Sequence, residues 1–208
     1  ILFTSKSSVE VYESLPVLHL YEWEGPSATD GYFINPAEVL TSEAVNGSLL
    51  RLARRPTGGG VIFHLTDWAF SLLIPSSHPA YSVNTLDNYA YVNHLVIEVI
   101  MRFTGRSAGL NLLPEEAAAA DPPSRNFCMA KPTIYDVMLD GRKVGGGAQR
   151  RTRKGILHQG TISLALPEGA FLDRVLLPGT KVREEMEHHT CNLLGSSASA
   201  KDIAEARK

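Results

Sequence analysis

The spacing of apolar positions changes along the chain, and each spacing predicts a different kind of element. From Pro16 to Trp23, apolar and polar side chains alternate, which predicts a strand that ends at the break formed by Gly25 and Pro26. Across residues 84–104, apolar side chains recur every three or four positions, which predicts an amphipathic helix. A helix of this kind has one apolar face, and we expect that face to pack on a sheet.

Shorter apolar runs between turn-forming residues predict further strands, at residues 61–64, 68–75, 134–139, 142–144 and 160–166. The first two are expected to form a hairpin around residues 65–67, and the next two a hairpin that turns at Asp140 and Gly141. The pattern becomes helical from Gly169 and again at residues 200–208. Strands in the middle and helices at the margins predict an α/β fold of the α+β type, with a mixed sheet flanked by helices.

Composition and charge narrow the classes of function. A chain of 208 residues, of which 44% are apolar, is long enough to bury a core. Its formal net charge is −2, so we expect neither nucleic acid nor a membrane surface as a partner. No apolar run approaches the roughly 18 residues that could span a bilayer. Cys128 and Cys191 are too few for a disulfide scaffold and predict free thiols in the cytoplasm.

Two glycine triplets stand out, each beside basic residues and a predicted strand. Gly58–Gly60 follows Arg54 and Arg55 within RRPTGGGVIFH, and Gly145–Gly147 follows Lys143 within DGRKVGGGAQRR. Each triplet alone fits a surface bend, and Lys143 alone fits a solvated hairpin lysine. Glycine also lets the backbone approach a ligand closely, and two such elements favour a narrow slot between them.

Cys128 is a candidate nucleophile. A thiol can carry an acyl group as a thioester, and an ammonium group can polarise the acyl carbonyl. Cys128 precedes Lys143 by fifteen residues and lies near Arg125 and Lys131, whose positive charge would favour a thiolate. The alternative is an inert core cysteine. Cys191 lies beside two histidines, but a single short cluster favours a helix end over a zinc site, so no metal is predicted.

In combination, RRPTGGGVIFH, DGRKVGGGAQRR and ILHQGTISL resemble the superfamily of lipoate-protein ligases, octanoyltransferases and biotin ligases. The resemblance extends from about residue 16 to residue 183 and implies a biotin/lipoate protein ligase-like catalytic domain. It implies that Cys128 and Lys143 are catalytic. It further implies that an acyl group or acyl-adenylate is bound by Arg54, Arg55, Gly58, Gly59, Gly60, His64, Gly145, Gly146, Gly147, Ala148, His158, Gly160 and Thr161.

Two branches of the superfamily fit different parts of the sequence. The spacing of Cys128 and Lys143 resembles the Gram-positive-type cysteine octanoyltransferases, whereas the uninterrupted triplet ending at Gly60 resembles the ligases. A positioned thiol is a mechanistic requirement, so the transferase is preferred. The transferase would need no cofactor, while the alternative ligase would need ATP and Mg²⁺ to form a lipoyl-adenylate. A second alternative is a non-catalytic acyl-binding module.

The resemblance also implies partners. The acceptors would be lysines of lipoyl domains, in the E2 subunits of 2-oxoacid dehydrogenases and in the glycine-cleavage H protein. The donor would be acyl carrier protein or the H protein, and the acyl group octanoate or lipoate. We expect one catalytic domain over residues 1–208, with residues 1–12 as the remnant of an N-terminal helix and without the full C-terminal accessory domain of many ligases.

Overall fold

The structure is a computed structural model that describes residues 15–116, 123–195 and 198–208. Its strands are β1 (Val17–Tyr21), β2 (Ser27–Asp30), β3 (Arg51–Arg54), β4 (Ile62–Phe63), β5 (Asp67–Pro75), β6 (Leu110–Leu112), β7 (Val137–Leu139), β8 (Arg142–Thr152) and β9 (Gly155–Ser163). Its α-helices are α1 (Ser42–Val45), α2 (Thr85–Thr104), α3 (Gly169–Val175), α4 (Val182–His189) and α5 (Ala200–Ala206). Two short 3₁₀ helices cover Pro36–Glu38 and Pro123–Asn126.

The strands form two sheets, and the α+β class is confirmed. The larger sheet has the order β1-β5-β9-β8-β7-β6, and each neighbouring pair is antiparallel. The smaller sheet has the order β3-β2-β4, with β2 parallel to β3 and antiparallel to β4. Mixed pairing, which was expected of the main sheet, is therefore found in the smaller one.

The expected hairpin of residues 61–64 and 68–75 is wrong, because β4 and β5 lie in different sheets. Strand β5 is nine residues long and mostly buried, so both of its edges need partners, which β1 and β9 provide. Strand β4 instead pairs with β2. Its Phe63 packs against Phe127, with the two ring centroids 5.7 Å apart.

The long helix is confirmed. It begins after Asn84, whose side chain accepts a hydrogen bond from the Leu86 N–H, and it ends at Gly105 in the left-handed conformation (φ 67°). Its buried side chains, which include Val92, Val96 and Ile100, face the half of the larger sheet formed by β6, β7 and β8. This packing fixes the strand that carries the second glycine triplet.

Two apolar cores lie on opposite sides of the larger sheet. One core surrounds α2, and the other joins the smaller sheet to α1, α3 and α4.

The hairpin of β7 and β8 is confirmed, with Asp140 and Gly141 at positive φ in its turn. Helices were predicted from Gly169 and near the C-terminus, and both are present. Within the described ranges, no helix combines the length and apolar character needed to cross a membrane.

Some predictions fall outside the described residues. The helical remnant at residues 1–12 is among them. The extent of a single domain over residues 1–208 stays a prediction.

Candidate active site

Strands β8 and β9 have two faces, and the site occupies one of them. Successive residues of a strand point to opposite sides of its sheet. A Cβ atom added at Gly145 would lie 3.4 Å from Cγ1 of Val96 in α2, so Gly145 faces the helix. One added at Gly146 would collide with Asp136 and lie 3.0 Å from Nζ of Lys143. Gly146 therefore shares the opposite face, which we call the site face, with Lys143.

A β-bulge brings Lys143 onto the site face. Val137 pairs with Gly145 and Met138 with Lys143, so β8 contains one extra residue, Val144, at this point. Val144 is fully buried in the core around α2. Without the extra residue, strict alternation would turn Lys143 toward the helix together with Gly145.

Lys143 is buried and held by two acceptors. Its Nζ atom lies 2.7 Å from Oδ2 of Asp136 and donates to the backbone oxygen of Cys128 at 2.8 Å. The lysine and aspartate side chains are only 4% and 3% exposed. Asp136 also accepts hydrogen bonds from the N–H and hydroxyl of Thr133, at 2.6 and 3.1 Å. An ammonium group has three N–H bonds, so one remains for a substrate oxygen.

The thiol of Cys128 lies against the first glycine triplet. The N–H of Gly60 donates to Sγ at 3.1 Å, and Nη2 of Arg55 lies 3.9 Å from the same sulfur. The loop is tied to the chain after the triplet, because the Cys128 N–H donates to the oxygen of Val61. Cys128 is half-buried, so the sulfur is held by donors yet is not sealed in the core.

Arg55 holds the first triplet in shape. Its guanidinium donates to the backbone oxygens of Gly58, Gly60 and Thr29, the closest at 2.6 Å. Gly59 is left-handed (φ 82°), and a Cβ atom there would lie 3.4 Å from Sγ of Cys128. Arg55 therefore acts on the site through the loop that it supports.

A cavity of about 120 Å³ opens beside Arg55 and extends along the site face toward β1. It is lined by residues of both sheets: His19, Tyr21, Glu22, Trp23, Thr29, Arg55, Ile62, His64, Ser71, Gln159, Gly160 and Thr161. The Thr57 hydroxyl fixes Gln159 by a 2.9 Å hydrogen bond to Oε1. Burial raises the pKa of Tyr21, so its hydroxyl stays neutral.

His64 forms one wall of this cavity. Its ring stacks on Trp23 with centroids 4.3 Å apart. Its two nitrogens contact Oδ2 of Asp67 at 2.7 Å and Oγ1 of Thr29 at 2.9 Å. The Thr161 hydroxyl donates to the same Asp67 oxygen at 2.5 Å. These contacts fix the orientation of the imidazole, so its ring presents a fixed surface to a ligand in the cavity.

His158 lies behind the site. It is fully buried on the helix face, where it stacks on Phe70 and contacts the ring of Tyr89. Burial lowers the pKa of His158 to about 3 and raises that of Tyr89 to about 12, so both are neutral near pH 7. Gly147 leaves room for the imidazole, because a Cβ atom there would collide with Nε2.

The arrangement is matched by a known family. The family described as "Lipoyl protein ligase A/B catalytic domain" matches residues 6–205. The chain belongs to this family. The octanoyltransferase LipM of Bacillus subtilis is 29% identical over 198 residues, which cover 92% of this chain and 68% of the relative. The octanoyltransferase LipM of Anoxybacillus flavithermus is 30% identical over 179 residues, covering 85% and 64%. The chain thus spans about two thirds of the length of these relatives.

Solved structures of lipoate-protein ligases share the fold. The bipartite lipoate protein ligase of Thermoplasma acidophilum superposes with a TM-score of 0.63 at 22% identity, covering 92% of this chain and 68% of the other. A lipoate-protein ligase A bound with ATP gives the same TM-score and identity, with 92% and 69% covered. At this identity the likeness establishes the fold alone.

The structure brings most of the predicted residues of this lipoyl ligase-type domain together. The clustered ones are Cys128, Lys143, Arg55, Gly59, Gly60, Gly146, Ala148, His64 and Thr161. Arg54 instead pairs with Asp30 at 2.7 Å and donates to the oxygen of Ile34. Gly145, Gly147 and His158 face α2. Gly160 lies at the cavity with Phe70 packed over its other side.

Sequence reasoning missed several residues that hold the site. Asp136, Thr57 and Gln159 make side-chain contacts that cannot be inferred from local spacing, and Thr190 hydrogen-bonds the backbone oxygen of Met129 beside Cys128. One available signal was Asp136, an acidic residue on a predicted strand across the hairpin from Lys143. Among the residues that the structure describes, no cluster of histidine, cysteine or carboxylate side chains could hold a metal ion.

Proposed function

We propose that this chain transfers an octanoyl group to a lysine of a lipoyl domain through a thioester on Cys128. The observation that carries the proposal is the position of the sulfur, 3.1 Å from the Gly60 N–H and within the loop whose carbonyl Lys143 holds. A cavity of about 120 Å³, lined in part by Arg55, is available for an acyl chain. The octanoyltransferase names of the relatives support this chemistry.

In the first half of the reaction, the Cys128 thiolate attacks the carbonyl carbon of the donor thioester. The C–S bond to Cys128 forms, the carbonyl oxygen becomes an oxyanion, and its collapse expels the donor thiolate, which takes up a proton. The remaining N–H of Lys143 is placed to stabilise that oxyanion.

A backbone donor can assist Lys143. The Gln149 N–H donates to the Tyr89 hydroxyl, so it points away from β9. By the alternation of a strand, the Gly147 N–H points to the same edge, while those of Gly146 and Ala148 bond β9. Among the backbone N–H groups of residues 146–148, that of Gly147 is therefore the one that does not bond β9.

In the second half, the neutral amine of the acceptor lysine attacks the enzyme thioester. The amide C–N bond forms, the amine loses a proton, and Cys128 leaves as a thiolate, ready for the next donor. No ATP is consumed, because the donor thioester is already activated. The partners would be an acyl carrier protein or H protein as donor and lipoyl domains as acceptors.

Intact mass of the enzyme tests the thioester. We expect incubation with an octanoyl thioester to add one octanoyl group that hydroxylamine removes. Cys128→Ala should abolish both the adduct and the transfer. Cys191→Ser changes a thiol buried in the core around α2 and keeps the backbone N–H that donates to the Lys143 oxygen, so it is the matched control and should retain both. Full transfer by Cys128→Ala would overturn the covalent route.

The second candidate is an ATP-dependent lipoate ligase acting through a lipoyl-adenylate. It is favoured by the uninterrupted glycine triplet at residues 58–60 and by the fold it shares with an ATP-bound ligase. In that case Lys143 would contact the acyl-phosphate, and Cys128 would be incidental. Binding of octanoate without transfer to any acceptor would instead support a non-catalytic module.

A further inference from the structure

The β8–β9 hairpin carries a dense group of positive charges that the proposed chemistry does not use. Arg150 and Arg151 lie near the end of β8, just before Thr152, and Arg153 and Lys154 form the turn before β9. All four side chains are exposed. The whole chain has a net charge of −2, so this concentration of four positive charges is a local feature. We call these four residues the basic hairpin.

The three arginines of the basic hairpin are not neutralised by the fold. In the described part of the chain, no ion pair involves Arg150, Arg151 or Arg153. Arg151 donates to the backbone oxygen of Val83, which anchors it without cancelling its charge. Like charges placed this close repel one another, so the patch costs stability unless an acidic partner offsets it.

The basic hairpin is a continuation of the active-site strand. Ala148 lies on the site face beside the first triplet, and Arg150 follows on the same face two residues later. Four steps of about 3.4 Å place Thr152 roughly 14 Å from Ala148 along the strand. A partner bound at the turn must reach back over that distance to deliver a group to Cys128.

We propose that the basic hairpin is the docking surface for the acyl donor, and that this donor is a carrier protein with an acidic surface and a thioester on a long flexible arm. The proposal rests on the proposed function. The reach of about 14 Å suits such an arm and exceeds a lysine side chain, which distinguishes the donor from the acceptor. The charges occupy both faces and the turn, and this spread suits a broad protein surface better than a single phosphate group.

The test measures acylation of Cys128 in a single turnover, without acceptor, from three donors. These are octanoyl-acyl carrier protein, octanoyl-coenzyme A and octanoyl-pantetheine, which is uncharged. The variant is Arg153→Glu/Lys154→Glu, in the turn and distant from the cavity. We expect the second-order rate constant of acylation by the carrier protein to fall about tenfold or more, with octanoyl-pantetheine unaffected. Added salt should slow the wild type with the carrier protein and affect the variant less.

A matched charge reversal controls for net charge. Lys201 is exposed on α5, and α5 packs through Arg207 on Asp67, at the end of β5 opposite the hairpin. Lys201→Glu should leave acylation by the carrier protein unchanged. If it lowers that rate as much as the hairpin variant does, a general charge effect replaces the docking surface.

Other outcomes overturn the proposal in distinct ways. If acylation by all three donors falls equally, the hairpin supports the fold of the site. If acylation falls equally with the carrier protein and coenzyme A, the hairpin binds a phosphate group of the donor. A loss confined to transfer from preformed acyl-enzyme to a lipoyl domain would assign it to the acceptor. If no donor acylates wild-type Cys128, the proposed function fails; calorimetric binding of the carrier protein that the double variant abolishes would still support the docking surface.

Discussion

At the scale of single residues, Lys143 differs from the solvated hairpin lysine that its sequence context also allowed. Its ammonium group is buried against Asp136 and holds the carbonyl of Cys128. Removing one partner of a buried ion pair leaves the other charge uncompensated, which typically costs about 3 to 5 kcal/mol. Lys143 therefore stabilises the fold as well as any oxyanion, and its replacement affects two measurements.

The two contributions can be separated. Lys143→Ala should slow acylation of Cys128 on the order of 100 to 1,000-fold and lower the melting temperature. Lys143→Met/Asp136→Asn removes both charges and should recover much of the melting temperature but not the rate. Lys201→Ala, at an exposed lysine of α5 outside the site, is the control and should retain the rate. A double variant within a few-fold of the wild-type rate would contradict a catalytic Lys143.

His158 predicts a pH dependence of stability. Burial lowers its pKa to about 3, from an ordinary value of 6.5 in the unfolded chain. Between these values the unfolded chain binds the additional proton, so the stability from neutral His158 is complete above pH 6.5 and is lost as the pH falls toward 3. Denaturant unfolding of wild type and His158→Gln should show a smaller decrease for the variant between pH 6.5 and 4. Parallel curves would assign the acid sensitivity to other groups.

At the scale of elements, local patterns predicted the elements that carry their own signals. The long helix has a cap, an apolar stripe and a terminal glycine, and the hairpin at Asp140 and Gly141 has its turn residues. The partners of β4 and β5 were mispredicted because pairing depends on which distant strand buries each edge. The Val144 bulge, which turns Lys143 onto the site face, leaves no mark in a period-two pattern. Hence residue types at the site were predictable, while the facing of Gly145, Gly147 and His158 was not.

The first glycine triplet gives a prediction with an internal control. Gly59 and Gly179 have nearly the same left-handed φ, 82° and 78°, so alanine should strain both by a similar 1 to 2 kcal/mol or so. An added Cβ at Gly179 meets open space, but at Gly59 it lies 2.9 Å from Arg55 Nη2 and 3.4 Å from Cys128 Sγ. Gly59→Ala should lose at least as much stability in denaturant as Gly179→Ala, because it must also displace Arg55, and acylation should fall sharply in Gly59→Ala alone. If the two variants acylated Cys128 at the same rate, the first glycine triplet would not be part of the site.

At the scale of the whole molecule, the site lies where the two sheets meet. The larger sheet supplies Lys143, Gln159 and Thr161, and the smaller sheet with its following loop supplies Thr29 and His64. Segments distant in sequence fasten this junction: Thr190 bonds the Cys128 loop, and Arg207 bonds the backbone oxygens of Leu65 and Asp67. The cavity therefore depends on both cores, and its chemistry belongs to the assembled domain.

That domain is shared by transferases and ligases, so nucleotide dependence separates the two proposed activities. With Cys128 as acyl carrier, octanoyl-carrier protein should modify a lipoyl domain without ATP, because the donor thioester supplies the free energy. The enzyme should then show no lipoate-dependent exchange of pyrophosphate into ATP. A ligase would need ATP and Mg²⁺ at each turnover and would tolerate Cys128→Ala, since its intermediate is an adenylate. We expect the first pattern, from the sulfur's contacts with Gly60 and Arg55. ATP-dependent lipoylation that persists in Cys128→Ala would establish the ligase instead.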